Sequence, residues 1–182
     1  MSAKRSARPR GLLHLYTGSG KGKTSAAWGL ALRAAGHGKR VKVIEFVKGP
    51  RTTGEHLAAR RLGRLISIEV CGIGFCRRGS AEQFRKHREC AAGALAAAAR
   101  ALASGRWDVV VLDEAAGAAG HGLLKAAELL RVIRSRAPGV EVVVTGRGAP
   151  PSLRRAADYL TEMRAVRHPY ARGVGARKGI EF

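Results

Sequence analysis

A glycine- and lysine-rich segment, set between an apolar run and a helical pattern, is the feature that most constrains the fold. Residues 11–16 are typical of a buried strand, residues 17–24 read TGSGKGKT, and residues 25–35 have helical spacing. In a strand-loop-helix unit of this kind, free backbone N–H groups and the positive end of the helix dipole attract phosphate. The segment therefore predicts a nucleotide-binding α/β unit.

The residue types in this loop suit triphosphate binding. Its glycines allow close approach of the backbone, Lys23 can reach phosphate oxygens, and the Thr24 hydroxyl can ligate Mg²⁺. The loop has one residue fewer between its first glycine and the Gly-Lys-Thr than the common P-loop, and a flexible glycine turn is the alternative reading. We expect ATP to contact Gly18, Ser19, Gly20, Lys21, Gly22, Lys23 and Thr24.

Two carboxylates follow a second apolar run, where the other half of such a site is expected. Residues 109–112 are uninterrupted valines and leucine, and Asp113 and Glu114 come directly after them. Mg²⁺ prefers oxygen ligands and is usually held by one or two carboxylates together with phosphates and water. We expect Thr24 and Glu114 to bind Mg²⁺ or Mn²⁺. A helix N-cap at Asp113 is an alternative that is compatible with this role.

The rest of the chain alternates strand and helix patterns. Strands are predicted at residues 41–46, 65–70, 140–144 and 159–163, and helices at residues 81–103 and 123–136. Near-continuous apolar strands separated by helices favour an α/β fold, with a mostly parallel central sheet and helices on both faces. Because no linker or repeat divides the pattern, we expect one domain over residues 11–182, preceded by a basic, mobile segment over residues 1–10.

Charge and cysteine content narrow the partners and the compartment. The net charge of +21 favours anionic partners such as nucleic acid or ATP. No apolar run is long enough to cross a bilayer, and the basic start lacks the apolar core of a secretory signal, so we expect a cytoplasmic protein with no membrane contact. Reduced thiols are expected for the three cysteines, with a metal site at Cys76, His87 and Cys90 as the alternative.

Six segments, in order along nearly the whole chain, resemble one family. They are residues 16–24, 46–49, 111–114, 144–147, 157–163 and 179–182. The family is the P-loop type of ATP:corrinoid adenosyltransferase, whose phosphate loop is similarly shortened. The resemblance implies a RecA-like P-loop fold, with ATP bound in the reverse orientation so that its terminal phosphate lies deepest in the loop.

The resemblance also implies the reaction. The family transfers the 5′-deoxyadenosyl group of ATP to the cobalt(I) of a reduced corrinoid and releases tripolyphosphate, in adenosylcobalamin biosynthesis or salvage. Cobalt(I) is the nucleophile, so no protein nucleophile or general base is needed. An electron donor such as a reduced flavoprotein, and a homodimer, are implied as well.

Carried over residue by residue, the resemblance assigns several further roles. Lys23 and Glu114 are expected to be catalytic, and Arg33 and Arg147 to bind ATP, although Arg33 is equally an exposed helix charge. Gly74 and Phe75 are expected at the corrinoid site, with core packing as the alternative for Phe75. Where family members often have a tryptophan two residues after this phenylalanine, the chain has Arg77.

Two other functions are alternatives to adenosyl transfer. A basic RecA-like P-loop ATPase acting on nucleic acid is the alternative, because Arg77, Arg78, Arg85, Lys86 and Arg88 form a basic cluster. Few aromatic residues interleave with that cluster, so base stacking is poorly served and nucleic acid is the less favoured partner. A regulatory protein that binds ATP without turnover is the third reading, and the retained Lys23, Thr24 and Glu114 speak against it.

Overall fold

A computed structural model describes residues 11–50, 52–74 and 80–181, and within these ranges the chain forms one six-stranded sheet. The strands, β1 to β6, are Leu13–Thr17, Val41–Glu45, Ile66–Val70, Val109–Asp113, Glu141–Thr145 and Tyr159–Glu162. Their order across the sheet is β3-β2-β4-β5-β1-β6, and every neighbouring pair is parallel. The predicted α/β fold is confirmed, and the all-parallel sheet is consistent with a RecA-like P-loop fold.

Helices cover both faces of this sheet. The helices, α1 to α6, are Lys23–Gly36, Gly54–Arg61, Ala81–Ala103, Ala115–Gly120, Ala126–Arg134 and Pro151–Ala156, and short 3₁₀ turns lie at Gly63–Leu65 and Pro169–Arg172. Helices α1 and α2 pack on one face, while α3, α5 and α6 pack on the other. Among the described residues, no helix has both the length and the apolar character needed to span a bilayer.

Alanine makes close packing of the long helix α3 possible. Its buried side chains recur every three or four residues and face the core formed by β2, β4 and β5. They are Ala91, Ala94, Ala97, Ala98, Ala101 and Leu102. Because alanine adds little volume and has high helix propensity, the same residues favour the helix and let its backbone approach the sheet.

The observed elements differ from the predicted ones mainly at their ends. Helix α1 begins at Lys23 rather than at residue 25, and α5 covers Ala126–Arg134 rather than 123–136. Helices α2, α4 and α6 were not predicted. All three are short. Helix α2 buries only His56 and Ala59, so its sequence has too little apolar periodicity to predict a helix. The expectation for residues 1–10 lies outside the described residues.

Four polar side chains lie buried where strands end. Thr17, Glu45, Asp113 and Thr145 are the last residues of β1, β2, β4 and β5, and each is almost fully shielded from solvent. Glu45 pairs in register with Asp113. Because parallel strands end at the same edge of a sheet, these residues meet directly beneath the loops that follow, which is where ligands bind in such folds.

Candidate active site

The phosphate loop, residues 17–24, is fixed against the end of β6. The Gly20 N–H donates to the Met163 carbonyl oxygen over 2.7 Å, and the Met163 N–H donates to the Thr17 carbonyl oxygen over 2.8 Å. Gly18 has a φ of 101°, and a Cβ there would lie 2.3 Å from the Met163 oxygen. Glycine is therefore required by space as well as by backbone conformation. Through these contacts with Met163 the loop is held in place and is not a loose turn.

Lys23 points into this loop from the first turn of α1. Its side chain is buried, and Nζ donates to the carbonyl oxygens of Gly18 and Gly20 over 2.9 and 2.6 Å. Burial lowers the pKa of Lys23, and the nearby charge of Arg147 lowers it further, while Glu114 and Asp113 oppose the shift. The loop therefore places a buried cation where phosphate oxygens would lie.

Asp113 joins three elements beneath the loop. Its Oδ1 accepts hydrogen bonds from the Thr24 hydroxyl over 2.9 Å and from the Thr145 hydroxyl over 2.7 Å. Thr145 Oγ1 in turn accepts the Glu114 N–H over 2.9 Å. Helix α1 and strands β4 and β5 are thus tied together at one carboxylate. Glu114, rather than Asp113, is the N-cap of α4.

Glu114 adopts an unusual backbone conformation. Its φ of 60° and ψ of 14° are left-handed, a region that non-glycine residues seldom occupy and that concentrates at functional sites. Burial and the charge of Asp113 raise the pKa of Glu114, against the opposing effect of Lys23. Gly117 makes room for the carboxylate, because a Cβ there would lie 2.6 Å from Glu114 Oε2.

A cleft of about 1580 Å³ opens above these groups. Its floor is formed by the phosphate loop, Glu114 and Arg147, and one wall by helices α1 and α2. Further lining residues come from the loops and from the C-terminal segment, and include Ile73, Gly74, Gly179, Ile180 and Glu181. This volume exceeds that of a typical small-molecule site, so a nucleotide and part of a second, larger substrate have room in it.

Comparison with known proteins identifies the family of the chain. A family described as ATP:corrinoid adenosyltransferase BtuR/CobO/CobP matches residues 9–182. The chain belongs to this family. It is 42% identical to a corrinoid adenosyltransferase of Pseudomonas aeruginosa over 95% of this chain and 84% of that protein. It is 35% identical to the corrinoid adenosyltransferase CobA of Salmonella typhimurium, over 95% of this chain and 86% of that protein.

Membership of the corrinoid adenosyltransferases confirms the predicted enzyme class and function. The chain is an adenosyltransferase that uses ATP and a corrinoid as substrates. Neither the matched family nor these relatives favour the nucleic-acid ATPase considered from the charge.

The structure brings most of the predicted adenosyltransferase residues together. Gly20, Lys21, Gly22, Lys23, Thr24, Gly74, Glu114 and Arg147 all line the cleft. Arg33 does not line it: this residue is exposed on α1, and its charge acts on Tyr16 by opposing the rise in pKa that burial gives the phenol. Its contact with ATP stays a prediction. Phe75, Cys76 and Arg77 lie outside the described residues.

Donor chemistry at the cleft floor fits a metal carried by a nucleotide. Among the described residues, no cluster of three or more histidine, cysteine, aspartate or glutamate side chains is arranged to hold an ion alone. Thr24 and Glu114 offer a hydroxyl and a carboxylate at the loop. Mg²⁺ typically takes one or two such oxygens and completes its shell with substrate phosphates and water. The residues present therefore suit Mg²⁺ bound together with ATP.

Sequence reasoning missed several residues that the fold brings to this site. Gly117 supports Glu114, and Glu181 contacts Lys21 through a 2.9 Å bond between carboxylate and ammonium. Lys48, in the loop after β2, also lines the cleft. A signal existed for Lys48 and Glu181, because they lie within residues 46–49 and 179–182, two of the segments that resemble the family.

Proposed function

We propose that the adenosyl transfer uses cobalt(I) of the corrinoid as its nucleophile, with Mg²⁺ or Mn²⁺ accompanying ATP. The observation that carries this proposal is the convergence of Lys23, Thr24, Glu114 and Arg147 on one end of a cleft that is open beyond them. Positive charge and metal-binding oxygens collect where the triphosphate would leave. The open part of the cleft is then available to the corrinoid.

The bond changes assign a clear task to the protein. Cobalt(I) supplies both electrons of the new cobalt–carbon bond at the ribose C5′, so the cobalt is formally oxidised by two electrons. The C5′–oxygen bond breaks, and tripolyphosphate leaves with the electron pair. No proton has to move to form the bond. Positioning the two substrates and stabilising charge on the leaving group therefore account for the catalysis that the chain must provide.

Named residues share this work. Lys23 and the loop amides bind the triphosphate, with Lys21 and Arg147 adding positive charge from the cleft floor. Thr24 and Glu114 would hold Mg²⁺, which supplies neutralisation of phosphate charge when bound. Asp113 keeps the Thr24 hydroxyl in place through its 2.9 Å hydrogen bond. Arg33 as an ATP contact, and Gly74 with Phe75 as corrinoid contacts, complete the proposed set.

Partners and compartment form a further part of the proposal. A reductant such as a reduced flavoprotein is required because the corrinoid must reach cobalt(I) before transfer. Homodimer formation is supported by the family resemblance and is tested by light scattering of the purified protein. Free thiols at Cys71 and Cys90 are in keeping with a reducing, cytoplasmic environment.

A direct assay tests the function. Purified protein is incubated anaerobically with MgATP and chemically reduced cob(I)alamin, and the spectrum of the cobalt–carbon product is followed together with tripolyphosphate release. We expect one tripolyphosphate for each adenosylated corrinoid. Release of orthophosphate without adenosylated product would refute the proposal. Tight, salt-sensitive binding of DNA or RNA that stimulates ATP hydrolysis would support the nucleic-acid alternative instead.

A further inference from the structure

Lys48, Glu45 and His56 form a charge cluster against Asp113, and none of these three residues has a role in the reaction proposed above. Lys48, in the loop between β2 and α2, places Nζ 3.0 Å from Asp113 Oδ2 and 3.4 Å from Glu45 Oε1. Burial acts to lower the pKa of Lys48, but the charges of Asp113 and Glu45 outweigh it and raise this pKa above its usual value. The ammonium is therefore fully charged at neutral pH.

His56 fixes the other side of the cluster. Its Nδ1 accepts the Thr53 N–H over 3.2 Å, so the ring proton lies on Nε2, which is 3.2 Å from Glu45 Oε2. Glu45 thus receives a histidine donor at one oxygen and Lys48 at the other. Since Glu45 is fully buried on β2, this arrangement anchors the lysine to the sheet.

Lys48 has donor capacity left for a ligand. An ammonium carries three N–H donors, and at most two of them serve the carboxylates of Asp113 and Glu45. Its side chain is 24% exposed, against 0% for Asp113 and 1% for Glu45, and it lines the cleft beside Lys23 and Thr24. With Asp113 Oδ2 and Glu45 Oε1 as its two ion-pair partners, the ammonium keeps at least one of its three donors for a ligand in the cleft.

The charges around the proposed leaving group indicate what the ammonium of Lys48 binds. Asp113 and Glu114 place two carboxylates at the end of β4, where they would oppose a polyanion. Lys48 forms an ion pair with Asp113 and so offsets part of this negative charge. We propose that Lys48 is a further triphosphate-binding residue, which Glu45 and His56 hold at the cleft. This inference rests on the proposed function, because the ligand is the leaving group of that reaction.

The test measures the dissociation constant of magnesium tripolyphosphate by calorimetry. Lys48→Gln removes the charge, and we expect binding about tenfold weaker, as for loss of one hydrogen bond between charged groups. That single change leaves two buried carboxylates unbalanced and endangers folding. The double variant Lys48→Gln with Glu45→Gln removes one charge of each sign. It keeps the net charge of the cluster, and we expect the same tenfold loss from it.

Matched variants separate a ligand contact from a structural role. Lys48→Arg keeps the charge, so binding should stay within about threefold of wild type. Lys125→Gln removes an exposed lysine outside the cleft and should leave binding unchanged. Wild-type affinity in the folded double variant, or an arginine variant as weak as the glutamine variant, would overturn the inference. If these variants bind normally while wild type still transfers adenosyl groups, the proposed function stands and only the role of Lys48 fails.

Discussion

The cleft has two sides that are built in different ways. On the side formed by the sheet, Lys23, Asp113 and Thr145 are buried. Asp113 accepts hydrogen bonds from the Thr24 and Thr145 hydroxyls, which ties α1, β4 and β5 together, and Lys23 donates to carbonyl oxygens of the phosphate loop. On the side formed by residues 164–181, nearly every side chain is exposed. Its hydrogen bonds to the phosphate loop come from Lys21, which donates to the Glu181 carboxylate and to the Ile180 carbonyl oxygen. The sheet side, which is the proposed phosphate end, is therefore the more buried and more extensively bonded of the two.

The energetics of the two sides differ accordingly. Exposed ion pairs contribute about 0–1 kcal/mol and weaken with salt, whereas removing one partner of a buried charged network typically costs about 3–5 kcal/mol. Substitutions on the sheet side should therefore have large effects that salt does not remove. Substitutions on the C-terminal side should have small effects that depend on ionic strength.

The largest effect is expected at Lys23. Lys23→Ala removes the buried cation of the phosphate loop, and kcat/KM for ATP should fall at least about 100-fold, in the range seen when a charge-stabilising donor is lost. Initial rates with saturating cob(I)alamin measure this. Lys39→Ala, at an exposed lysine outside the cleft, is the control. A Lys23 variant within fivefold of wild type would remove the basis for calling the sheet side the phosphate end.

The substitution Gly117→Ala tests whether activity depends on the position of the Glu114 carboxylate. Gly117→Ala places a methyl group 2.6 Å from Glu114 Oε2, which is too close, and we expect kcat/KM for MgATP to fall about tenfold as the carboxylate moves. Gly93→Ala in α3 is matched to it, because a Cβ there meets nothing within 4 Å. This control should keep full activity and gain up to about 1 kcal/mol in stability. Equal activity in both variants would argue against a role for Glu114.

The pH dependence of metal binding provides a third test. A raised pKa means that Glu114 takes up a proton at a higher pH than an ordinary glutamate, and the neutral acid is a poor ligand for Mg²⁺. MgATP affinity should therefore decline as pH falls, starting above the usual glutamate range. The same shift makes the protonated form favourable in the folded chain, so this residue does not itself promote acid unfolding. In Glu114→Gln the affinity should be a few-fold lower at neutral pH and should lose this pH dependence, and an unchanged profile would contradict the assignment.

The smallest effect is expected at Glu181. Bonds from Arg177 and Lys21 hold the pKa of Glu181 at about 2, so the carboxylate stays ionised throughout the working pH range and competes with triphosphate for Lys21. Glu181→Gln should lower the KM for ATP by up to about threefold at low salt, with no change at high salt. A large loss of activity that persists in salt would show that the C-terminal wall is as fixed as the sheet side.

Local signals explain what the sequence could predict. The β1-loop-α1 unit and the carboxylates after β4 are contiguous motifs, so the strand, the loop and the candidate metal ligands Thr24 and Glu114 could be predicted without knowledge of the fold. The sequence did not predict the cluster of Lys48, Glu45 and His56. Its association with Asp113 depends on β2 lying beside β4, and no single segment of the sequence predicts the strand order. Gly117 was missed for a related reason. Its role depends on the position of the Glu114 carboxylate. That position follows from the left-handed backbone of Glu114, which no residue pattern predicts.

The order of strands also determines when the nucleotide site can exist during synthesis. Strand β1 is the first of the described strands to be made, yet both of its neighbours, β5 and β6, come from the last third of the sequence. The phosphate loop likewise needs Met163 to complete its hydrogen bonds. A growing chain must therefore keep its first strand unpaired while about 130 residues follow, a long-range closure of the kind that slows folding. Nucleotide can stabilise the finished protein, but it arrives too late to guide the early steps.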